Sequence, residues 1–209
     1  MFSRVLKSDY FVFFFITFIA YFLIRKTIFV GFNIDDDHQF ISMGNANNLF
    51  KDYGGNLNQF LLIQSKWFNA GRLFPLLVTI IFFKAKLIGS NYLIHHLIVF
   101  FSGVFIAFFA YKILRLKNIS HTNSLIGALV LFTGNAYGEI YWRLICGEGP
   151  GLLFYVIGLY YTLSYFDQKN SKNLWLSILF LTAAALTKES FILLFPMAYL
   201  IPLIGVNSI

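Results

Sequence analysis

Three consecutive carboxylates stand at residues 35–37, in the stretch "GFNIDDDHQF", and their type and spacing could do chemistry. A carboxylate at a membrane surface can act as a general base and take the proton of an acceptor hydroxyl. Negative side chains are also favourable at the start of a helix, where they cap backbone N–H groups and face the positive end of the dipole. For the triplet by itself both interpretations stay open, a helix cap and a catalytic base.

Basic residues that could bind phosphate follow at Arg72, Arg143 and Lys188. Arg and Lys donate charge-assisted hydrogen bonds to phosphate oxygens and can stabilise the negative charge on a departing phosphate. Each has a simpler interpretation as well. The two arginines could extend toward lipid headgroups, and Lys188 could form a neutralising pair with Glu189 at the tip of a helix hairpin.

The composition indicates the elements that must position these residues. The chain has 209 residues, of which 58% are hydrophobic and 12% charged, whereas soluble domains are about 45–50% apolar and about a quarter charged. We therefore predict an all-α fold, a polytopic transmembrane helical bundle of about six spans. The net charge of +7 fits contact with anionic lipid. No basic face on a soluble module is visible, so no nucleic-acid partner is expected.

The apolar runs predict a single transmembrane domain over residues 1–209. Arg4 and Lys7 precede the first span, and the basic segment "YKILRLKN" ends the second. The positive-inside tendency therefore places the start of the first span and the end of the second in the cytoplasm. Residues 32–90 then form a long extracytoplasmic loop, with an interfacial or re-entrant helix at 73–88; an ordinary span extended through Lys84 and Lys86 is the alternative. The predicted spans are 10–30, 92–111, 123–141, 151–166, 174–187 and 190–206.

With this topology, the ionisable residues near membrane depth collect on the outer face. Such residues are expensive in lipid and usually face a cavity or one another. His95 and His96 are predicted to be interfacial residues rather than metal ligands. Because Cys146 is the single cysteine, the chain cannot form an internal disulfide. The predicted outer set is Asp35, Asp36, Asp37, His38, Arg72, Arg143, Glu148, Lys188 and Glu189.

In order and chemistry, the chain resembles the N-terminal module of type-C glycosyltransferases, the integral-membrane enzymes that use polyprenyl-phosphate sugars. The acidic motif "IDDDHQF" is similar to that family's Asp-acidic-x-(His/Tyr) pattern after the first span. "NAGRLFPLL" resembles the Gly-Arg element before an outer juxtamembrane helix, "YWRLICGEGPGLLF" the loop entering the fourth span, and "LTAAALTKESFILLFP" the Leu-Thr-Lys element. The resemblance covers about residues 10–200 and is closest to bacterial O-antigen glucosyltransferase-like membrane proteins.

The resemblance implies a reaction and a set of roles. A sugar would pass, with inversion, from a polyprenyl-phosphate donor to a glycan or lipid acceptor of the cell envelope, outside the bacterial inner membrane. Asp35 aligns with the acidic residue that serves as base, although three Asp in a row leave Asp36 as an alternative. Arg72, Arg143 and Lys188 would bind the lipid phosphate.

The remaining outer residues would support that site. Asp37, His38, Glu148 and Glu189 are the supporting candidates, and Asp36, Asp37 and Glu148 could help to bind a divalent metal, which some family members need and others do not. Members of the family are usually several hundred residues long. The chain is therefore expected to be a fragment, a truncated product or half of a split enzyme, with a second chain supplying further spans.

Two other functions stay open. A transporter or flippase for a lipid-linked sugar predicts polar residues along the spans toward both faces, because a permeation path must cross the membrane. A non-catalytic membrane scaffold predicts that substitution of the outer acidic and basic residues leaves function intact.

Overall fold

The structure, a computed structural model, describes residues 8–29, 65, 68–69, 75–88, 91–133 and 147–205. Within these ranges the chain is helical and contains no strand, which confirms the predicted all-α class. The described helices are α1 Asp9–Ile28, α2 Pro75–Ile88, α3 Tyr92–Leu116, α4 His121–Val130, α5 Glu148–Gln168, α6 Ser171–Thr187 and α7 Ser190–Gly205.

Polar side chains mark the helix starts. Ser8, Asn91 and Ser120 precede α1, α3 and α4, and the side-chain oxygen of each accepts a hydrogen bond from a backbone N–H of the first turn. Such caps satisfy donors that have no partner inside the helix. At the end of α5, Lys169 adopts a left-handed conformation with φ of 54°, which stops the helix and turns the chain into α6.

Helices α1, α3 and α4 share one apolar core. On α1 the buried residues recur every fourth position from Val12 to Ile28, the spacing of a single helix face. This face packs against the buried face of α3, which includes Phe100 and Val104. The Phe13 ring lies 5.3 Å from that of Phe105 and 5.6 Å from that of Phe108. Together with the Asp9–Lys112 ion pair of 2.6 Å, these contacts make α1 and α3 antiparallel.

Helices α5, α6 and α7 pack through small and polar residues. Gly158 of α5 lies directly against Leu181 of α6. One turn further on, the Thr162 hydroxyl is 2.5 Å from the Ser177 hydroxyl, which is 3.1 Å from the hydroxyl of Tyr199 on α7. Small residues that allow close backbone approach, with hydroxyls bonded across helices, are the usual means of helix association where an apolar surround gives little driving force.

Large apolar side chains cover much of the outside of the bundle. Examples are Tyr10 and Phe14 of α1, exposed to 81% and 68%, Trp175 of α6 at 70% and Leu193 of α7 at 78%. Within the described ranges, one helix, α3 with 25 residues, is long and apolar enough to cross a membrane. Helices α6 and α7 are apolar but shorter than 18 residues. The arrangement of six spans therefore stays a prediction.

Three local expectations can be compared with the helices. The segment expected to be an interfacial or re-entrant helix at 73–88 forms α2, Pro75–Ile88, which packs against α6 and α3. Helix α4 ends at Val130, inside the predicted span 123–141, and residues 131–133 form turns. His95 and His96 are both buried, so they face protein and not an exposed interface.

Candidate functional site

Three of the nine predicted site residues belong to the described part of the chain. Glu148 opens α5, and Lys188 and Glu189 link α6 to α7. The others, for which the assignments stay predictions, lie outside the described residues: Asp35, Asp36, Asp37, His38, Arg72 and Arg143.

The structure brings Glu148 and Lys188 together. The Lys188 ammonium donates a hydrogen bond to Oε1 of Glu148, which is 40 residues away in the sequence. The Lys188 side chain is 33% exposed and the Glu148 side chain is 43% exposed, so a ligand can reach the pair. Glu148 is in the first turn of α5, where a negative charge is favoured by the positive end of the helix dipole.

The pairing decides one question that the sequence left open. Lys188 does not pair with its neighbour Glu189; it pairs across to the start of another helix. The backbone carbonyl of Glu189 accepts a hydrogen bond from the N–H of Ile192 at 2.9 Å, which begins α7. The backbone of Glu189 therefore belongs to the start of α7, while the Lys188 side chain joins α6 to α5.

Close backbone packing fixes the position of this ion pair. A side chain added at Gly147 would place its Cβ 2.9 Å from the Thr187 carbonyl oxygen and 3.1 Å from Cδ2 of Leu77. Glycine is thus needed where α5 begins against the end of α6 and the first turn of α2. We call the five residues Leu77, Gly147, Glu148, Thr187 and Lys188 the Lys188 corner.

The start of α7 is held against α5 in the same way. A Cβ at Gly151 would overlap the ring of Phe191, which is buried, and the Tyr155 ring lies 6.0 Å from that ring. Since α7 begins two residues after Lys188, this contact limits how far the Lys188 backbone can move. The sequence elements "GEGPG" and "LTKES" therefore meet in space as a rigid corner.

The corner can hold an anion more readily than a metal ion. The Lys188 ammonium has three donors, so it can keep its contact with Glu148 and still donate to a phosphate oxygen. Glu148 is neutralised by that ammonium, which disfavours its use as a metal ligand. In the described part of the chain no three His, Cys, Asp or Glu side chains gather at one place. The remaining predicted metal ligands, Asp36 and Asp37, lie outside it.

A second polar group, which the sequence analysis did not single out, lies where α1 begins and α3 ends. Asp9, Tyr111, Lys112, Arg115 and His121 line a cleft of about 250 Å³. A signal was present in the sequence: Asp9 is the acidic residue next to the first apolar run, and the positive-inside pattern predicts that this end and the basic end of α3 lie on the same side of the membrane. We call these five residues the Asp9 cleft.

Comparison with models of protein families, with curated proteins and with solved structures found no match for this chain.

Proposed function

We propose that the chain is a membrane glycosyltransferase module that uses a polyprenyl-phosphate sugar and acts on the extracytoplasmic face. The observation that carries this proposal is the Glu148–Lys188 pair at the Lys188 corner. Glu148 and Lys188 belong to distant sequence elements that were predicted to form one site. In the structure they lie side by side and are partly exposed. The resemblance to type-C glycosyltransferases supplies the reaction, and the corner supplies a cation suited to the donor's phosphate.

The outer surface supports the membrane part of the proposal. A contiguous exposed apolar surface on a protein marks contact with lipid or with another protein. On α1 the exposed aromatic residues Tyr10, Phe14, Phe18 and Phe22 recur every fourth position, and so cover one continuous face of the helix. We propose a multi-pass protein of the bacterial inner membrane, with about six spans, a cytoplasmic N-terminus and residues 32–90 outside.

The proposed reaction is a displacement at the sugar carbon. Asp35 or Asp36 takes the proton of the acceptor hydroxyl as its oxygen bonds to that carbon. The bond from the carbon to the donor phosphate breaks, and the electron pair leaves on the phosphate. Arg72, Arg143 and Lys188 stabilise that charge, because fixed donors aimed at developing charge lower the barrier.

The Glu148–Lys188 pair suits a site that must hold and then release a phosphate. With no donor bound, Glu148 keeps the ammonium oriented and neutralised. When the donor arrives, its phosphate becomes a second acceptor for the same ammonium. After transfer the polyprenyl phosphate must leave, and the carboxylate beside Lys188 lowers the affinity for the product. Glu148 is thus a positioning residue, with Asp37, His38 and Glu189 as further supporting candidates.

A charge exchange at the corner tests this role. Glu148→Lys combined with Lys188→Glu keeps an ion pair, so the fold should survive, but it moves the ammonium to the other helix. We expect the double variant to melt slightly below the unsubstituted chain, because its lysine faces the positive end of the α5 dipole. Its binding of polyprenyl monophosphate should fall about tenfold, the loss expected for one charge-assisted hydrogen bond. Binding is measured with the purified chain in detergent. Lys172→Gln, an exposed lysine at the start of α6, is the matched control.

The two possible failures of this experiment are distinct. If the exchanged pair binds polyprenyl monophosphate as well as the control, the corner is structural and the phosphate role is wrong. If neither protein binds it at all, the glycosyltransferase proposal loses its substrate.

The base is tested separately, in membranes supplied with polyprenyl-phosphate sugars. Asp35→Asn with Asp36→Asn should abolish sugar transfer, and full transfer by this double variant would disprove the assignment. Movement of labelled lipid-linked sugar across the membrane without transfer would instead support the flippase alternative. A dependence of transfer on added Mg²⁺ or Mn²⁺ would show whether a divalent metal takes part.

A further inference from the structure

We propose that the Asp9 cleft binds the phosphate group of an anionic lipid, at the opposite face of the predicted topology from the glycosyl-transfer site. The cleft lies between the start of α1, the end of α3 and the start of α4. None of its residues belongs to the Lys188 corner. The proposal uses the membrane location proposed above, but it does not depend on glycosyl transfer.

The charges that line the cleft favour an anion. Lys112 and Arg115 are cationic and Asp9 is anionic, which leaves one net positive charge when His121 is neutral. Lys112 donates to Asp9 at 2.6 Å. Arg115 forms no ion pair with any described residue; its Nη1 donates to the Ile119 carbonyl. The guanidinium, which also interacts with the Tyr111 hydroxyl, still offers further N–H donors to phosphate, which it can bind through two parallel hydrogen bonds.

Two features of the backbone and side chains preorganise the site. The Tyr111 hydroxyl and Nδ1 of His121 are 3.0 Å apart and share a hydrogen bond, which fixes the imidazole and leaves its Nε2 for a ligand. His121 is also the first residue of α4, after the Ser120 cap. A helix start carries a partial positive charge and adds to the attraction for an anion.

The size and surroundings of the cleft indicate a lipid as the source of the phosphate. About 250 Å³ holds a phosphate group and several waters, since a water takes about 30 Å³. Directly beside Asp9, Tyr10 and Phe14 expose apolar rings against which acyl chains can pack. Basic pockets between helices at the cytoplasmic side are a known setting for anionic headgroups.

The test is a titration of the purified chain in detergent with phosphatidylglycerol, followed by native mass spectrometry. Phosphatidylcholine and inorganic phosphate are titrated in parallel. We expect saturable binding of phosphatidylglycerol that weakens about tenfold in Arg115→Gln and is largely restored in Arg115→Lys. Asp9→Asn should strengthen binding severalfold, because it removes the competing carboxylate from the cleft. Lys172→Gln should bind like the unsubstituted chain.

The outcomes separate the sources of phosphate. If inorganic phosphate shows this pattern and phosphatidylglycerol does not, the site takes a soluble anion and the lipid proposal is overturned. If binding does not differ between Arg115→Gln and Lys172→Gln, the cleft is not an anion site. Should Arg115→Gln fail to fold, Asp9→Asn decides alone: Asp9 is exposed, and unchanged or weaker binding in that variant overturns the proposal.

Discussion

The contact between Gly158 and Leu181 is expected to limit how α5 and α6 pack, and an alanine at position 158 tests this. Its Cβ would stand 2.8 Å from both Cγ and Cδ2 of Leu181 and 3.1 Å from the Leu181 backbone nitrogen, where ordinary contacts are 3.4–4 Å. Leu181 is 1% exposed, so its side chain has no open space to enter. The two helices must therefore move apart.

Two effects of opposite sign determine the result. Extra volume in a packed core costs about 1–3 kcal/mol, whereas alanine in a helix interior is favoured over glycine by about 1 kcal/mol. We expect Gly158→Ala to lower the free energy of unfolding by about 1 kcal/mol, the difference between these effects. In the Leu181→Ala background the overlap with Cγ and Cδ2 disappears, and the same substitution should become neutral or stabilising.

Unfolding is followed by circular dichroism as purified protein in mild detergent is titrated with a denaturing detergent. Gly127→Ala is the matched control, also a glycine inside a helix. Its Cβ would approach the far end of the Leu114 side chain at 2.9 Å, which is partly exposed and can rotate away. Gly127→Ala should therefore be neutral or stabilising.

The double-mutant cycle of Gly158→Ala and Leu181→Ala tests whether the contact between these residues limits the packing. Substitutions in direct contact should show an interaction energy of about 1–3 kcal/mol. Additive effects of Gly158→Ala and Leu181→Ala, or a Gly158→Ala variant as stable as Gly127→Ala, would show that the close approach of α5 and α6 does not limit the packing.

Three further outcomes are expected. Ser177→Ala breaks the buried hydroxyl contacts and should lower stability by about 1 kcal/mol, whereas Ser102→Ala removes only a bond to its own helix and should change stability less in the same titration. Lys169→Gly should be about 1 kcal/mol more stable than Lys169→Ala, because a left-handed conformation is unfavourable for a residue with a side chain. Both variants lose the contact of the Lys169 ammonium with the Tyr165 and Phe166 rings, so their difference isolates the backbone effect. In the proposed topology, where α1 crosses the membrane, Phe18→Arg should impair membrane insertion, since arginine at mid-bilayer costs about 2.5–3.5 kcal/mol. Phe18→Leu should insert normally in a membrane fractionation assay.

The all-α class and several helix starts and ends could be predicted from the sequence. Asn91 before a long apolar run and "DQKN" at the end of α5 are local signals, and the structure begins α3 at Tyr92 and ends α5 at Gln168. Local signals suffice here because caps and turns depend on neighbouring residues. The end of α4 at Val130 was not predicted, although "TGN" at residues 133–135, a composition typical of turns, follows it closely.

The partners of the charged residues were harder to predict. Lys188 had an acidic neighbour in Glu189, yet it pairs with Glu148, because the corner is set by the packing of Gly147 against Thr187. Sequence spacing contains no information on such a contact between distant segments. His95 and His96 show the same limit: their polarity suggested an interface, but neighbouring helices bury them.

The chain of hydroxyls from Thr162 through Ser177 to Tyr199 has a consequence for how the protein can change over evolution. A shift of one helix by one turn moves a residue about 5.4 Å. The hydroxyl bonds, which form at a single level of the bundle, disfavour that shift together with the close contacts Gly158–Leu181 and Gly151–Phe191. The register of the Lys188 corner then depends on a few small and polar residues, and the surrounding apolar residues are free to vary so long as they stay apolar. Among distant relatives of this chain, the hydroxyls and glycines should persist together while the exposed aromatic residues drift.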